Sequence, residues 1–309
     1  MNLPPYNSMP GPIAQQVIAA LRKEQNRKII PFDALRLSAA HSAELERGVI
    51  SEADMSRYDP LHAVYIYAQN KISVLGELLL ELPACAKFAK AYAKAEDEYQ
   101  PSGPPISPLT QSYFFNWAMF DSCVGQETIG TVAIDICRKL AVGASLVRLF
   151  ECMQNARMGL YVHEGVIGGQ VLLRELVTGD RYRCIVPAGY MGRPGELWFV
   201  RVLSEPFETM PLGYSLVFNT PYVIGRLRDR KLAPADVDEW QAFLDRTIPK
   251  TGLADTGAAY AQLMKYGLTA NYWNEYVFEA YVTHRQDMIL LAGFPDVPVS
   301  RPHAHVNEV

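Results

Sequence analysis

Asp121 and Glu127 are the residues whose type and placement could support general acid–base chemistry. In the segment YFFNWAMFD, Phe114, Trp117 and Asp121 fall at helical spacing and share one face. A carboxylate on an aromatic stripe must be paired, capped or functional, because burying it alone is costly. The structural reading makes Asp121 the end of its helix, accepting hydrogen bonds from the following loop or from a core arginine. The chemical reading joins it to Glu127 as a pair of acids with arginines nearby, as in a hydrolase. Glu127 precedes Thr128 at the start of the next predicted helix, where a negative charge is favourable.

Two arginines, Arg174 in LLRELVTG and Arg201 in FVRVL, sit among apolar neighbours. Each could pair with Asp121, Glu175 or Glu205, or present a guanidinium to an anion. The loop PAGYMGRPG sets Tyr190, Met191 and Arg193 on a Gly/Pro frame, and these residue types favour interfaces. A basic run, RLRDRK at 226–231, supplies Arg226, Arg228 and Arg230. It reads either as a solvated helix face or as a patch for RNA, DNA or an acidic protein. His163 could partner Cys152 as a nucleophile pair, against the simpler reading of a buried thiol. His303 and His305 fall short of a metal site without ligands from elsewhere, so no metal and no cofactor are expected. Nucleotide-binding glycine motifs, GxSxG and HExxH are absent, and Gly165–Gly169 reads as a hairpin loop between strands.

The elements that must position these residues fall into a clear order. Ile13, Val17, Ile18 and Leu21 mark a first helix, and further helices are predicted from Asp33 and Ser51. Asp59-Pro60 opens a long apolar helix, with a capping acid followed by proline in the first turn. Pro83 opens another. PSGPPISP at 101–108 is a linker or rigid loop. Two helices then flank Gly125, and a third runs over 144–158. From Arg157 to Phe218 the pattern changes to four or five short strands. Trp198, Val200 and Val202 face one way there, and Leu197, Phe199, Arg201 and Leu203 the other. Thr178-Gly179-Asp180 suits a hairpin turn. Helices are predicted again after Pro234, over 258–266 and over 270–284, followed by an extended tail. The predicted organisation is therefore a helical region over 1–100, helices plus the β-module over 109–220, and C-terminal helices with a tail over 221–309.

The chain carries 49% hydrophobic and 20% charged residues and a formal charge of -4, which opposes a dedicated nucleic-acid binder. No apolar run is long enough to span a membrane, and the N-terminal residues lack a secretory pattern. Five scattered cysteines fit reduced thiols and a cytoplasmic protein.

Two segments, FFNWAMFD with Thr128 and the series RMGLYVHEG, GGQVLLRELVTGDRYRC, GELWFVRVL, together resemble the accessory region of bacterial proteins that carry a SEC-C zinc-binding motif. The resemblance spans about residues 110–205 and is one of packing pattern. The clustered Cys/His motif of that family has no counterpart here, so the resemblance implies neither zinc nor catalysis.

These readings predict a mainly helical α+β protein with an inserted small antiparallel β-sheet or partly open barrel. Its expected role is binding a macromolecular partner, protein or nucleic acid, through the β-module and the adjacent basic cluster. The alternatives are a hydrolase using Asp121 and Glu127, and a structural homo-oligomer whose interface is the aromatic segment NYWNEYVFEAYV.

Overall fold

Asp59 caps the longest helix as its position before Pro60 suggests: the carboxylate accepts from the backbone N–H of Leu61 at 2.8 Å. The structure, a computed structural model, describes residues 9–25, 56–99, 108–228, 231–268, 281–284 and 289–292. The helices predicted from Asp33 and Ser51, residues 101–107 of the proline-rich break, most of NYWNEYVFEAYV, and His303 and His305 lie outside the described residues.

The described chain forms two compact units. The first holds α1 (Pro12–Gln25), α2 (Pro60–Leu80), a 3-10 turn (Pro83–Cys85), most of α3 (Ala86–Tyr99), α5 (Ile129–Lys139) and α6 (Ala144–Asn155). Between α3 and α5 in the chain comes α4 (Pro108–Phe120), which belongs to the second unit. Helix α5 packs against α1, α2 and α6. It is buried on nearly every side, as a central helix requires: Ile129, Val132, Ala133, Ile134 and Ile136 are all in the core. Its start is a reciprocal cap between Thr128 and Thr131, at 2.9 and 3.1 Å.

The second unit is built on a sheet that has nine strands among the described residues. They are β1 (Met158–Ile167), β2 (Gln170–Glu175), β3 (Arg181–Ile185), β4 (Leu197–Leu203), β5 (Ser215–Val217), β6 (Tyr222–Arg228), β7 (Lys231–Pro234), β8 (Tyr281–His284) and β9 (Ile289–Ala292). The first five close into a small barrel in the order β1-β2-β3-β5-β4, with β4 returning to β1. The α+β class with a small barrel is thus as the sequence indicates. Closure depends on β4, which pairs β1 along one edge and shares the other between β6 and β5. One pairing in the ring, β3 with β5, is parallel. Closing the ring pairs strand edges that would otherwise be exposed.

The alternation read along β4 holds. Trp198 and Val200 join Tyr161, Val171, Leu173, Cys184 and Val217 inside the ring. Leu197 and Phe199 face outward and pack with Leu160, Tyr222 and Ile224. That outer face is covered by Tyr113 of α4, by Trp240, Phe243 and Leu244 of α7 (Val237–Thr247), and by Tyr260 and Leu263 of α8 (Thr256–Tyr266). The β1–β2 turn, Gly168-Gly169, has positive φ at both positions, a conformation that favours glycine.

Three sequence expectations are corrected. The helix expected after Pro234 is present as Val237–Thr247, but RLRDRK is no helix face: Arg226 and Arg228 lie on β6 and Lys231 on β7, which continue the sheet. Tyr281–His284 is a strand, not the end of a helix. Ile289–Ala292, expected in an extended tail, is a strand that runs parallel to β6. In each case ladder pairing outweighs the local pattern: β7 pairs its neighbour β6, β8 pairs its neighbour β9, and β9 also pairs the distant β6.

Candidate functional site

Asp121 follows the last turn of α4, where its backbone N–H and that of Ser122 both bond to the carbonyl of Trp117 at 2.8 Å. This places its carboxylate, which is fully buried, against two cations. The guanidinium of Arg201 on β4 donates to Asp121 Oδ2, and Lys265 Nζ on α8 lies 3.1 Å from Oδ1. The same two cations share the carbonyl of Ala156, at 2.9 Å from Lys265 and 3.3 Å from Arg201. The Arg201 guanidinium also lies 6.0 Å from the centroid of the Phe120 ring. The outward direction of Arg201, set by the alternation along β4, turns it away from the barrel interior and toward α4 and α8. Here one carboxylate is shared by two cations inside the protein, and the carbonyl of Ala156 takes part of the remaining positive charge.

Glu127 belongs to the first unit and has different partners. Its carboxylate accepts from the backbone N–H groups of Ile13 and Ala14, both at 2.9 Å. It therefore caps α1, not the helix that follows it in the chain; that helix is capped by Thr128. Gly11 precedes α1 and has no side chain to serve as a cap. A Cβ there would overlap the Glu127 carboxyl group, so the close approach requires glycine. The charge of Glu127, after burial itself, helps push the Cys85 thiol up to about 11. Asp121 and Glu127 thus belong to different units, each with its own set of bonds.

The loop between β3 and β4 folds onto the barrel. Tyr190 and Met191 are half-buried and pack against the interior core. Tyr190 Oη donates to Glu196 at 2.9 Å, and Trp198 Nε1 donates to the same carboxylate at 3.0 Å. His163, buried on β1, bonds through Nε2 to the carbonyl of Met191 at 2.8 Å. The carbonyl can only accept, so Nε2 carries the proton. Gly192, with φ 63°, lies so close that a Cβ would overlap the Trp198 ring. Arg193 is exposed. His163 is occupied by this loop, while Cys152 hydrogen-bonds Tyr65, and burial raises the Tyr65 hydroxyl well above its ordinary range.

Arg226 and Arg228 lie on β6, in register with Ala233 and Lys231 of β7. Arg230 lies outside the described residues. Arg174 pairs with Glu164 at 2.9 Å. Glu175 instead holds Arg157 at 2.7 and 3.2 Å and accepts from Thr178 at 2.7 Å.

The sequence reading missed both Lys265 as a partner of Asp121 and α1 as the partner of Glu127. A signal for the second existed. A helix that starts Gly-Pro has unsatisfied N–H groups and no side chain at its cap to accept them, which leaves room for a distant acid. Among the described residues no group of three or more His, Cys, Asp or Glu is placed to hold a metal ion. No described helix is long and apolar enough to cross a membrane. No known protein family, curated protein or solved structure matches this chain.

Proposed function

We propose that this chain is a cytoplasmic binding protein whose small barrel is a rigid platform for a macromolecular partner. The observation that carries the reading is how the barrel distributes its side chains. Val171, Leu173, Cys184, Trp198 and Val217 fill the interior at 0% exposure, while Arg181, Arg183 and Arg193 are exposed on the outside. Recognition by such a barrel falls to its outer surface and to the ordered loop carrying Tyr190, Met191 and Arg193. The β6–β7 hairpin, with Arg226 and Arg228 on β6, adds a second basic element to the same sheet. All five cysteines are unpaired, which supports a reducing compartment. The hydrolase alternative draws less support, because the carboxylates it needs are held in separate internal networks.

Retention of partners by the tagged full-length chain tests this. Replacing Arg226, Arg228 and Arg230 together by Ala should weaken retention about tenfold or more and leave thermal stability unchanged. Undiminished retention would remove the hairpin from the binding surface. Failure of the wild-type chain to retain any macromolecule would end the binding reading.

A further inference from the structure

The outward face of β1–β3 carries an amphipathic strip that neither the loop nor the hairpin includes. Strand register defines it. Val171, Leu173, Tyr182 and Cys184 point into or pack against the barrel core, so the alternate residues Leu172, Arg174, Arg181 and Arg183 point out. Arg174 stands directly across from Arg181, and Leu172 across from Arg183. One strand further, Ile167 pairs with Gln170 and continues the same face, with Ile167 58% exposed. Successive outward positions along a strand are about 7 Å apart. The strip therefore runs from a basic end to an apolar end.

Like charges placed opposite each other on a sheet are unfavourable unless something compensates them. Here Glu164 does: it accepts from Arg174 Nε at 2.9 Å and Arg181 Nε at 3.1 Å. Only the Nε–H of each guanidinium is used. The terminal nitrogens of Arg174 and Arg181 have no bond among the described residues, and neither does the guanidinium of Arg183. Two guanidiniums are thus held in position with their forked ends unoccupied, the arrangement that suits two-point bonding to carboxylates.

We propose that this face docks an acidic segment of a partner protein. Its carboxylates seat on Arg174, Arg181 and Arg183, and an apolar residue of the segment covers Ile167 and Leu172. The inference rests on the binding reading above and names a surface and a partner chemistry for it. One observation favours an acidic protein over nucleic acid. The aromatic residue on β3, Tyr182, turns its ring inward, edge-on to Tyr161 at 5.8 Å, and gives bases nothing to stack on.

Fluorescence anisotropy with the full-length chain tests this, using three labelled probes: a synthetic peptide alternating Glu and Leu, its counterpart with Gln for Glu, and a polyuridylate oligonucleotide. The Glu/Leu peptide should bind best. Its affinity should fall about tenfold in Arg181→Ala/Arg183→Ala, about threefold in Ile167→Ser, and about tenfold for the Gln peptide, with the melting temperature unchanged. Absence of peptide binding, equal binding by the variants, or preferential binding of the oligonucleotide would overturn the proposal. The partner-retention experiment separates this inference from the reading beneath it. Partners kept by Arg181→Ala/Arg183→Ala but lost by the hairpin variant would overturn this face and leave the binding reading intact.

Discussion

Asp121 and Glu127 are both buried carboxylates, 0% and 7% exposed, and the chain satisfies them by opposite means. Asp121 is held by side-chain cations from two elements of the second unit. Glu127 is held by backbone N–H groups at the start of one helix in the first. Each acid consequently fixes something different. The Asp121 network ties a strand and a helix to the end of α4, so its loss leaves two cations buried without their carboxylate. The Glu127 contact completes one helix terminus, where water or a neighbouring group can take over part of the work. Two acids that resemble a catalytic pair in sequence are thus two unrelated solutions to burying charge.

Four sets of changes probe this contrast, beginning with the most disruptive. Arg201→Met should destabilise the protein by about 3–5 kcal/mol in urea unfolding, because it removes one partner of a buried ion pair. Asp121→Leu/Arg201→Met should cost less than the sum of its single changes, since the opposite charges of that pair leave together and only Lys265 is left without its carboxylate. Gly11→Ala should cost about 2 kcal/mol, because the new methyl overlaps the Glu127 carboxylate and one of them must move. Its effect should shrink in a Glu127→Ala background. Glu127→Gln should cost about 1 kcal/mol, as the amide keeps an acceptor oxygen but loses the charge at the helix start. The smallest effect is on Cys85. Its thiol is raised from 9.0 to about 11 in the folded protein, so its contribution to stability is intact below pH 9 and is lost as pH rises toward 11. In Glu127→Gln that alkaline loss should end at lower pH, because one of the two causes of the shift is gone. Urea unfolding of the two proteins at a series of pH values between about 8 and 11 measures it.

Local chemistry was legible where a residue's partner lies nearby in the chain. Asp59 before Pro60, the two faces of β4, and Thr178-Gly179-Asp180 with its positive-φ glycine all follow from neighbours within a few residues. The aromatic stripe also shows that Asp121 needs a partner, and Arg201, set among apolar neighbours in FVRVL, is one that the sequence offers. Lys265 could not be singled out, because its approach depends on how α8 packs on the sheet. Glu127 lies 114 positions from Ile13 and 113 from Ala14, which hides the contact from any local pattern. The strand β9 was missed for the same reason, and β8 with it, because β8 is paired to β9. Ile289–Ala292 becomes a strand by pairing with Tyr222–Gly225, far upstream. Glu164 was likewise invisible as a bridge, since only the β1–β2–β3 register brings Arg174 and Arg181 to it.

The buried acids are held in internal networks, and the proposed binding falls to the outer surface of the barrel. Asp121→Asn is the sharpest test of that division, with thermal unfolding and affinity for the Glu/Leu peptide measured on the same sample. The melting temperature should fall by about 10 °C, while protein that remains folded still binds the peptide at wild-type affinity. An unchanged melting temperature together with loss of peptide binding would refute the division and restore Asp121 as a functional acid.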